Sequence, residues 1–263
     1  MKTKVISQSI LSEFLKIIYN KATQIVLPII IILQPMLAYM SAKQVLYVGL
    51  DATPETDSNL LEAIPPIEYI GFDTILIGLF AMIILGAVFG SLEFKKNSLR
   101  TTLLLQPNKM IFFKSKMLVS MLFIFFMSFI SIFISIACSQ YALGASGLNP
   151  IILNSKVWYF IILGTISWTL ITMLSYFVAF LFKTSVAPLI FLIPQLYNIG
   201  EFLADRISIA RFLPISLGQD LIATTPSRLT SVPAISIALL GLWVVLVATI
   251  GYYRFIRIDV GTK

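Results

Sequence analysis

Six stretches of this chain stay apolar for about the 20 residues that a helix needs to cross a bilayer. They fall at residues 22–40, 70–90, 117–139, 158–182, 185–203 and 232–253. Hydrocarbon offers the backbone no water to bond with, so a chain built this way satisfies its peptide groups internally, as helices or a closed barrel. Runs of this length without two-residue alternation are helical. The expected fold is therefore all-α: a polytopic membrane protein of six transmembrane helices in a single domain, residues 1–263. Only 12% of the residues are charged, against roughly a quarter in soluble domains. Little more than Lys183-Thr184 separates the fourth and fifth stretches, which predicts a tight antiparallel hairpin. The first stretch is long, lacks a small-residue cleavage site and carries Gln34 and Pro35, so it reads as a retained span and not a signal peptide.

An even number of spans puts both termini on one side, and the basic residues say which. With the ends inside, the cytoplasmic set is Lys2, Lys4, Lys16, Lys21, Lys95, Lys96, Arg100, Lys109, Lys114, Lys116, Lys183, Arg254, Arg257 and Lys263. The outer set is Lys43, Lys156, Arg206, Arg211 and Arg228. The positive-inside rule then predicts a multi-pass protein of the cell membrane with cytoplasmic termini. The net charge of +7 is explained by this asymmetry. No basic–aromatic array or zinc spacing points to nucleic acid.

Three pieces do not span. Within residues 1–21, Val5, Ile6, Ile10, Leu11, Phe14, Ile17 and Ile18 recur at helical spacing, with Lys4, Gln8, Ser12, Lys16 and Lys21 between them. This is the pattern of an amphipathic helix lying in the membrane interface; a plain extension of the first span is the alternative. The outer stretch 48–67, acidic and proline-bearing, is a connector too short for a core of its own. The outer segment 201–231 is too apolar for a free loop and too interrupted for a span. A re-entrant helical segment before the last span, its backbone satisfied against protein, fits that composition.

Several chemistries are excluded. The chain has no histidine, so it has no Ser-His-Asp triad and no histidine metal site. It has no G-x-x-x-x-G-K-[ST] loop, no G-x-G-x-x-G, no H-E-x-x-H and no C-x-x-C, so it does not bind ATP by a P-loop of its own. Its one cysteine, Cys138, cannot form an internal disulfide. No cofactor and no catalytic residue is expected in the chain, and any energy source comes from a partner or an ion gradient.

Polarity concentrates between the second and third spans, at residues 91–116. Lys95, Lys96, Arg100, Lys109, Lys114 and Lys116 stand there against one acid, Glu93. Leu99, Leu103, Leu104 and Leu105 give this stretch an apolar face before Pro107-Asn108 breaks it. Two readings are open on the residues: a short helix parallel to the membrane, turned back by proline, or a solvated loop that attracts anionic lipid.

The order Glu93-Phe94-Lys95, Ser98-Leu99-Arg100-Thr101, Pro107, Lys109, Lys116 resembles the cytoplasmic loop of permease subunits of the type-2 ABC transporter family, with Asn97 where the pattern more often has glycine. The outer Arg211-Phe212-Leu213-Pro214 and Leu217-Gly218 are similar to that family's segment before the last span. The resemblance implies a stand-alone exporter permease that pairs with a second copy or homologue and docks two ATP-binding cassette subunits, which carry the ATP and magnesium. It implies a coupling helix seated in a cleft of the ATPase, with Glu93, Phe94, Lys95, Leu99, Arg100, Thr101, Leu103 and Pro107 as coupling residues. In that arrangement Leu99 and Leu103 pack, and Glu93 and Arg100 hold the corner. The implied substrate is hydrophobic or amphipathic, and short permeases of this kind resemble those that export, or give immunity to, antimicrobial peptides.

Polar residues inside apolar spans are candidates for a substrate path, because they are expensive in lipid and usually face a bundle interior. Gln34, Gln195 and Asn198 are the deep ones; hydrogen bonding between helices is the competing role. Asp73 and Glu201 sit near outer ends. An ion-gradient-driven secondary transporter using Asp73 or Glu201, or an integral-membrane enzyme or non-transporting scaffold, are the alternative functions. The pair Gly86-x-x-x-Gly90 permits close helix approach.

Overall fold

A computed structural model describes residues 2–57, 60, 63–94, 98–105, 108–196, 206, 208–222 and 233–257. Among these residues every regular element is helical. The helices are α1 (Lys2–Ile18), α2 (Lys21–Pro28), α3 (Gln34–Val48), α4 (Ile75–Ser91), α5 (Ser98–Leu105), α6 (Lys109–Leu143), α7 (Ser155–Phe182), α8 (Val186–Pro194), α9 (Pro214–Gln219) and α10 (Pro233–Ile256). Five helical runs among the described residues are long and apolar enough to cross a membrane: Lys21–Val48, Ile75–Phe94, Lys109–Ser146, Ser155–Phe182 and Pro233–Ile256. The remaining expected stretch, 185–203, is described as helix over α8 and the two residues after it, and 197–205, with Asn198 and Glu201, lie outside the described residues.

Asparagines start three of the helices. Asn20 accepts the Ala22 N–H at 2.8 Å, Asn108 accepts those of Met110 and Ile111 at 3.0 and 3.2 Å, and Asn154 accepts that of Val157 at 2.9 Å. Each satisfies N–H groups that a helix start otherwise leaves open. The Asn20 cap explains why α1 is a separate helix and not the start of the first span. The Asn108 cap also explains why α6 begins well before residue 117: helical bonding continues through Lys109, Lys114 and Lys116 past the end of the apolar run.

The first span is continuous from Lys21 to Val48 but carries a π-helical turn at Ile29–Leu33. Pro28 and Pro35 flank it, and neither has an N–H to give. Gln34 N–H bonds Ile29 O, five residues back, instead of Ile30 O. The carbonyl of Ile30 accepts the Ser131 hydroxyl at 2.6 Å instead, so a side chain of α6 completes the bonding that the widened turn gives up.

The centre of the bundle is the pair α4–α7, with α3 packed on α6, and α10 on the outside of α7. The two central helices run parallel: Tyr69 and Phe72 meet Phe160 at one end, and Phe94 meets Phe180 at the other. Glycine lets them touch. A Cβ on Gly86 would stand 2.4 Å from Thr172 O, and one on Gly90 would stand 2.0 Å from Tyr176 O. The spacing of those two glycines therefore does mark a close approach, backbone against backbone.

The segment around α9 is tied to the same core. The 3-10 turn Ser208–Phe212 leads into α9, whose Pro214, Ile215, Leu217 and Gly218 are buried. Gly218 O accepts the Ser167 hydroxyl at 2.8 Å, twelve residues into α7. Trp243 of α10 donates its ring N–H to Phe212 O at 3.0 Å, and Ser236 donates to Asp220 at 3.3 Å.

Candidate functional site

At the end of the bundle where α4 stops and α6 starts, four charged side chains close a ring. Lys16 Nζ donates to Glu13 Oε1 at 2.7 Å and to Glu93 Oε1 at 3.0 Å. Lys116 Nζ donates to Glu13 Oε2 at 3.3 Å and to Glu93 Oε1 at 3.1 Å. The second oxygen of Glu93 accepts the hydroxyls of Ser98 at 3.1 Å and Thr102 at 3.0 Å. Thr102 Oγ1 in turn lies 3.4 Å from Lys16 Nζ. Glu93 is thus fully engaged, with two ammonium donors on one oxygen and two hydroxyl donors on the other.

Three of the four are buried, Glu13 at 3% exposed, Glu93 at 0% and Lys116 at 4%, while the Lys16 side chain closes the ring from its water-facing edge at 33%. Two carboxylates against two ammoniums leave it neutral, which is the condition for holding charges out of water. Burial works against the Lys16 charge, but the hydrogen bonds and charges of Glu13 and Glu93 outweigh it and hold its pKa above the ordinary lysine value. The ring joins α1 (Glu13, Lys16), the turn Leu92–Phe94 (Glu93), α5 (Ser98, Thr102) and α6 (Lys116).

That geometry orients α5. Its Leu99 is buried, Leu103 packs against the core, and Ser98 and Thr102 reach Glu93. Arg100 and Thr101 are exposed, and Leu104 is 79% exposed. The helix is therefore clamped on one face and bare on the other. Phe94 packs edge-on against Phe180 at 5.2 Å between ring centres.

Of the residues that the sequence assigned to coupling, Leu99 and Leu103 face inward, and Arg100 and Thr101 face out. Glu93 is at the corner, but its partners are Lys16 and Lys116, and Arg100 takes no part in the ring. Lys95 and Pro107 lie outside the described residues. The sequence reading gives no role to Glu13 or Thr102, puts Lys16 on the polar side of an interfacial helix, and has Lys116 in the loop pattern without a partner. The signal available for them was weak: Glu13 and Lys16 form an i, i+3 pair, a spacing common on any exposed helix.

Gln34 and Gln195 lie in different surroundings. Gln34 is fully buried beside the π-helical turn, with Ser131 Oγ 3.0 Å from its Oε1. It is held against Gly78, where a Cβ would collide with the Gln34 amide and with Trp168. Its amide nitrogen has no hydrogen-bond partner, and neither do Ser128 Oγ, Trp168 Nε1 and Thr172 Oγ1. Gln195 donates to Phe191 O at 2.7 Å and accepts the Ile215 N–H at 3.4 Å, which fastens α8 to α9. Asp73 is exposed and accepts the Ser41 hydroxyl at 2.8 Å. Among the described residues no group of three or more acidic or cysteine side chains is placed to hold a metal ion.

No family model, no curated protein and no solved structure matches the chain.

Proposed function

We propose that this chain is the membrane subunit of an ATP-driven exporter, and that α5 is the lever through which a separate ATPase moves it. The reading rests on one observation. An eight-residue helix between two apolar spans is fixed to the bundle by a buried ring of charges, while Arg100, Thr101 and Leu104 stand free on its other face. A partner can drive a membrane bundle only through an element that is rigid relative to the spans. The ring makes α5 rigid relative to α1, α4 and α6 at once. An exposed leucine flanked by a cation suits an apolar cleft with a polar rim, and the docking energy comes mainly from that leucine, since exposed ion pairs contribute about 0–1 kcal/mol.

In this reading the charged end of the bundle is cytoplasmic, the subunit works in the cell membrane as a pair with a second copy or a homologue, and 185–203 forms a sixth span beginning with α8. The segment around α9 is re-entrant; its contact with Ser167 lies about 18 Å along α7 from the first residue of that helix, at 1.5 Å per residue. The chain performs no covalent chemistry, and ATP and magnesium belong to the partner. The substrate class is hydrophobic or amphipathic, with antimicrobial peptides and drugs as the members to try first.

The test is purification of the intact chain from its native membrane. A P-loop ATPase subunit should accompany it in fixed stoichiometry, and Leu104→Asp should remove that subunit while the permease stays monodisperse. Retention of the ATPase by Leu104→Asp and by Arg100→Glu/Leu104→Asp would remove α5 from the docking role. Substrate accumulation in ATP-free vesicles under an ion gradient, abolished by an ionophore, would replace the whole reading with secondary transport.

A further inference from the structure

At the end of the bundle opposite the ring, where α3 stops and the chain turns toward α4, residues 50–68 fold around a cleft of about 550 Å3. Its walls are fixed. The Ile64 N–H donates to Ala52 O at 3.1 Å and so ties one wall to the other. Leu50 on the first wall and Ile67 on the second pack against a small core of Ala42, Ile70, Ala142 and Leu143. Gln140 of α6, itself fully buried, donates its side-chain amide to Ile67 O at 3.0 Å. A connector too short for a core of its own therefore borrows one from α3 and α6, and with it keeps a concave surface.

The cleft has two kinds of lining. Leu50, Ile64, Pro65 and Ile67 make its walls apolar, and among the described residues that line it the charged groups are two carboxylates, Asp51 and Glu68. Asp51 is exposed and has no ion pair among the described residues. Glu68 is half-buried and faces one cation, Lys156, whose Nζ stands 4.0 Å from Oε1 on a side chain that is 61% exposed. An exposed pair at that distance contributes little, so Glu68 is open to a better-placed cation. Size decides what kind. A calcium or magnesium ion takes six or more oxygens in a tight shell, and no such group of acids converges among the described residues. The volume instead falls in the range of pockets for small organic ligands, roughly 300–1,000 Å3.

We propose that this cleft binds a small organic cation with an apolar ring body, Asp51 and Glu68 being its two anionic contacts. The carboxylates attract the positive group, and the Leu50, Ile64, Pro65 and Ile67 walls take the apolar body out of water. A hydrophilic polyamine satisfies only the first half of this surface, and a neutral amphiphile only the second. The inference rests on the folded segment 50–68 and involves neither α5 nor an ATPase, so its failure and that of the α5 reading are separate results.

The experiment titrates rhodamine 6G, a cationic aromatic dye, with the full chain in phosphatidylcholine nanodiscs and follows its fluorescence polarisation. Empty nanodiscs give the lipid background, and rhodamine B, a related dye with a free carboxylate, is the charge control. The intact chain should bind rhodamine 6G above background and more tightly than rhodamine B. Asp51→Asn and Glu68→Gln should each weaken binding about threefold to fivefold, the scale of one exposed ion pair, and the double variant should lose the preference between the dyes. Lys156→Gln, which takes the competing cation from Glu68, should tighten binding, a change that damage to the fold would not produce. Ala63→Trp, at an exposed position on the lining, should weaken binding by filling the cleft. Glu55→Gln, exposed on the same segment outside the lining, should leave it unchanged. Equal affinity for the two dyes, full binding by the Asp51→Asn/Glu68→Gln variant, or an equal loss in Glu55→Gln would overturn the site.

Discussion

Lys16 Nζ lies 3.0 Å from Glu93 Oε1, joining residues 77 positions apart in the chain. The contact ties the helix before the first span to the turn after the second, and Lys116 repeats it from α6 at 3.1 Å. A displacement of α5 is therefore passed to α1 and α6 through the same carboxylate.

The two lysines should not weigh equally. The Lys116 side chain is 5% exposed and that of Lys16 is 33% exposed. Lys116→Met leaves two buried carboxylates facing one partly hydrated ammonium and should cost about 3–5 kcal/mol. Lys16→Met leaves the same two carboxylates facing Lys116 alone and should cost less than Lys116→Met, because the ammonium it removes is one-third exposed and partly screened by water. Denaturation of the two variants in detergent would check the ranking; equal losses would mean that the greater exposure of Lys16 does not weaken its part in the ring.

Glu93→Met combined with Lys116→Met leaves a neutral Glu13–Lys16 pair. The double variant should be more stable than the sum of the two single losses predicts, by about 0.5–3 kcal/mol. Strict additivity in the double-mutant cycle would count against the ring.

Alkali supplies a further test. The pKa of Lys16 is higher in the folded chain than the ordinary value of 10.5, so its contribution is fully present below that value and is lost as pH rises through the higher folded one. The stability difference between the parent chain and Lys16→Met should stay constant from neutral pH to about 10 and shrink only above the ordinary lysine range. A difference that closes already between pH 7 and 9 contradicts the raised pKa.

Glycines on different faces should respond in opposite directions. Gly90→Ala puts a Cβ 2.0 Å from the backbone oxygen of Tyr176, which only separation of α4 from α7 relieves; a loss of about 1–3 kcal/mol is expected from such overpacking. Gly241 on α10 has nothing within 4 Å, and Gly241→Ala should gain up to about 1 kcal/mol from helix propensity. Thermal unfolding of the two variants in one detergent makes the comparison.

Gln34→Leu separates structure from transport. The substitution removes a buried amide nitrogen that has no partner and leaves Ser131 its bond to Ile30 O, so stability should be unchanged or higher. Transport should fall if Gln34 contacts the substrate. Undiminished export would assign Gln34 to the π-helical turn alone.

Apolar run length and the distribution of lysine and arginine carried the helical class, the approximate span positions and the expectation of a separate amphipathic start, because these are local or additive properties. The Gly86–Gly90 spacing was likewise readable, since close approach needs a missing Cβ whatever helix lies opposite. The ring was not. Glu13, Lys16 and Thr102 each look like ordinary members of a solvated face, and although Glu93 and Lys116 stand in the loop pattern, nothing in that pattern pairs them with each other or with α1. Whether a charge is solvated or enclosed depends on which segments the bundle brings to one end. That is a matter of three-dimensional packing: four charges become a neutral buried joint only when α1, α4, α5 and α6 converge on them.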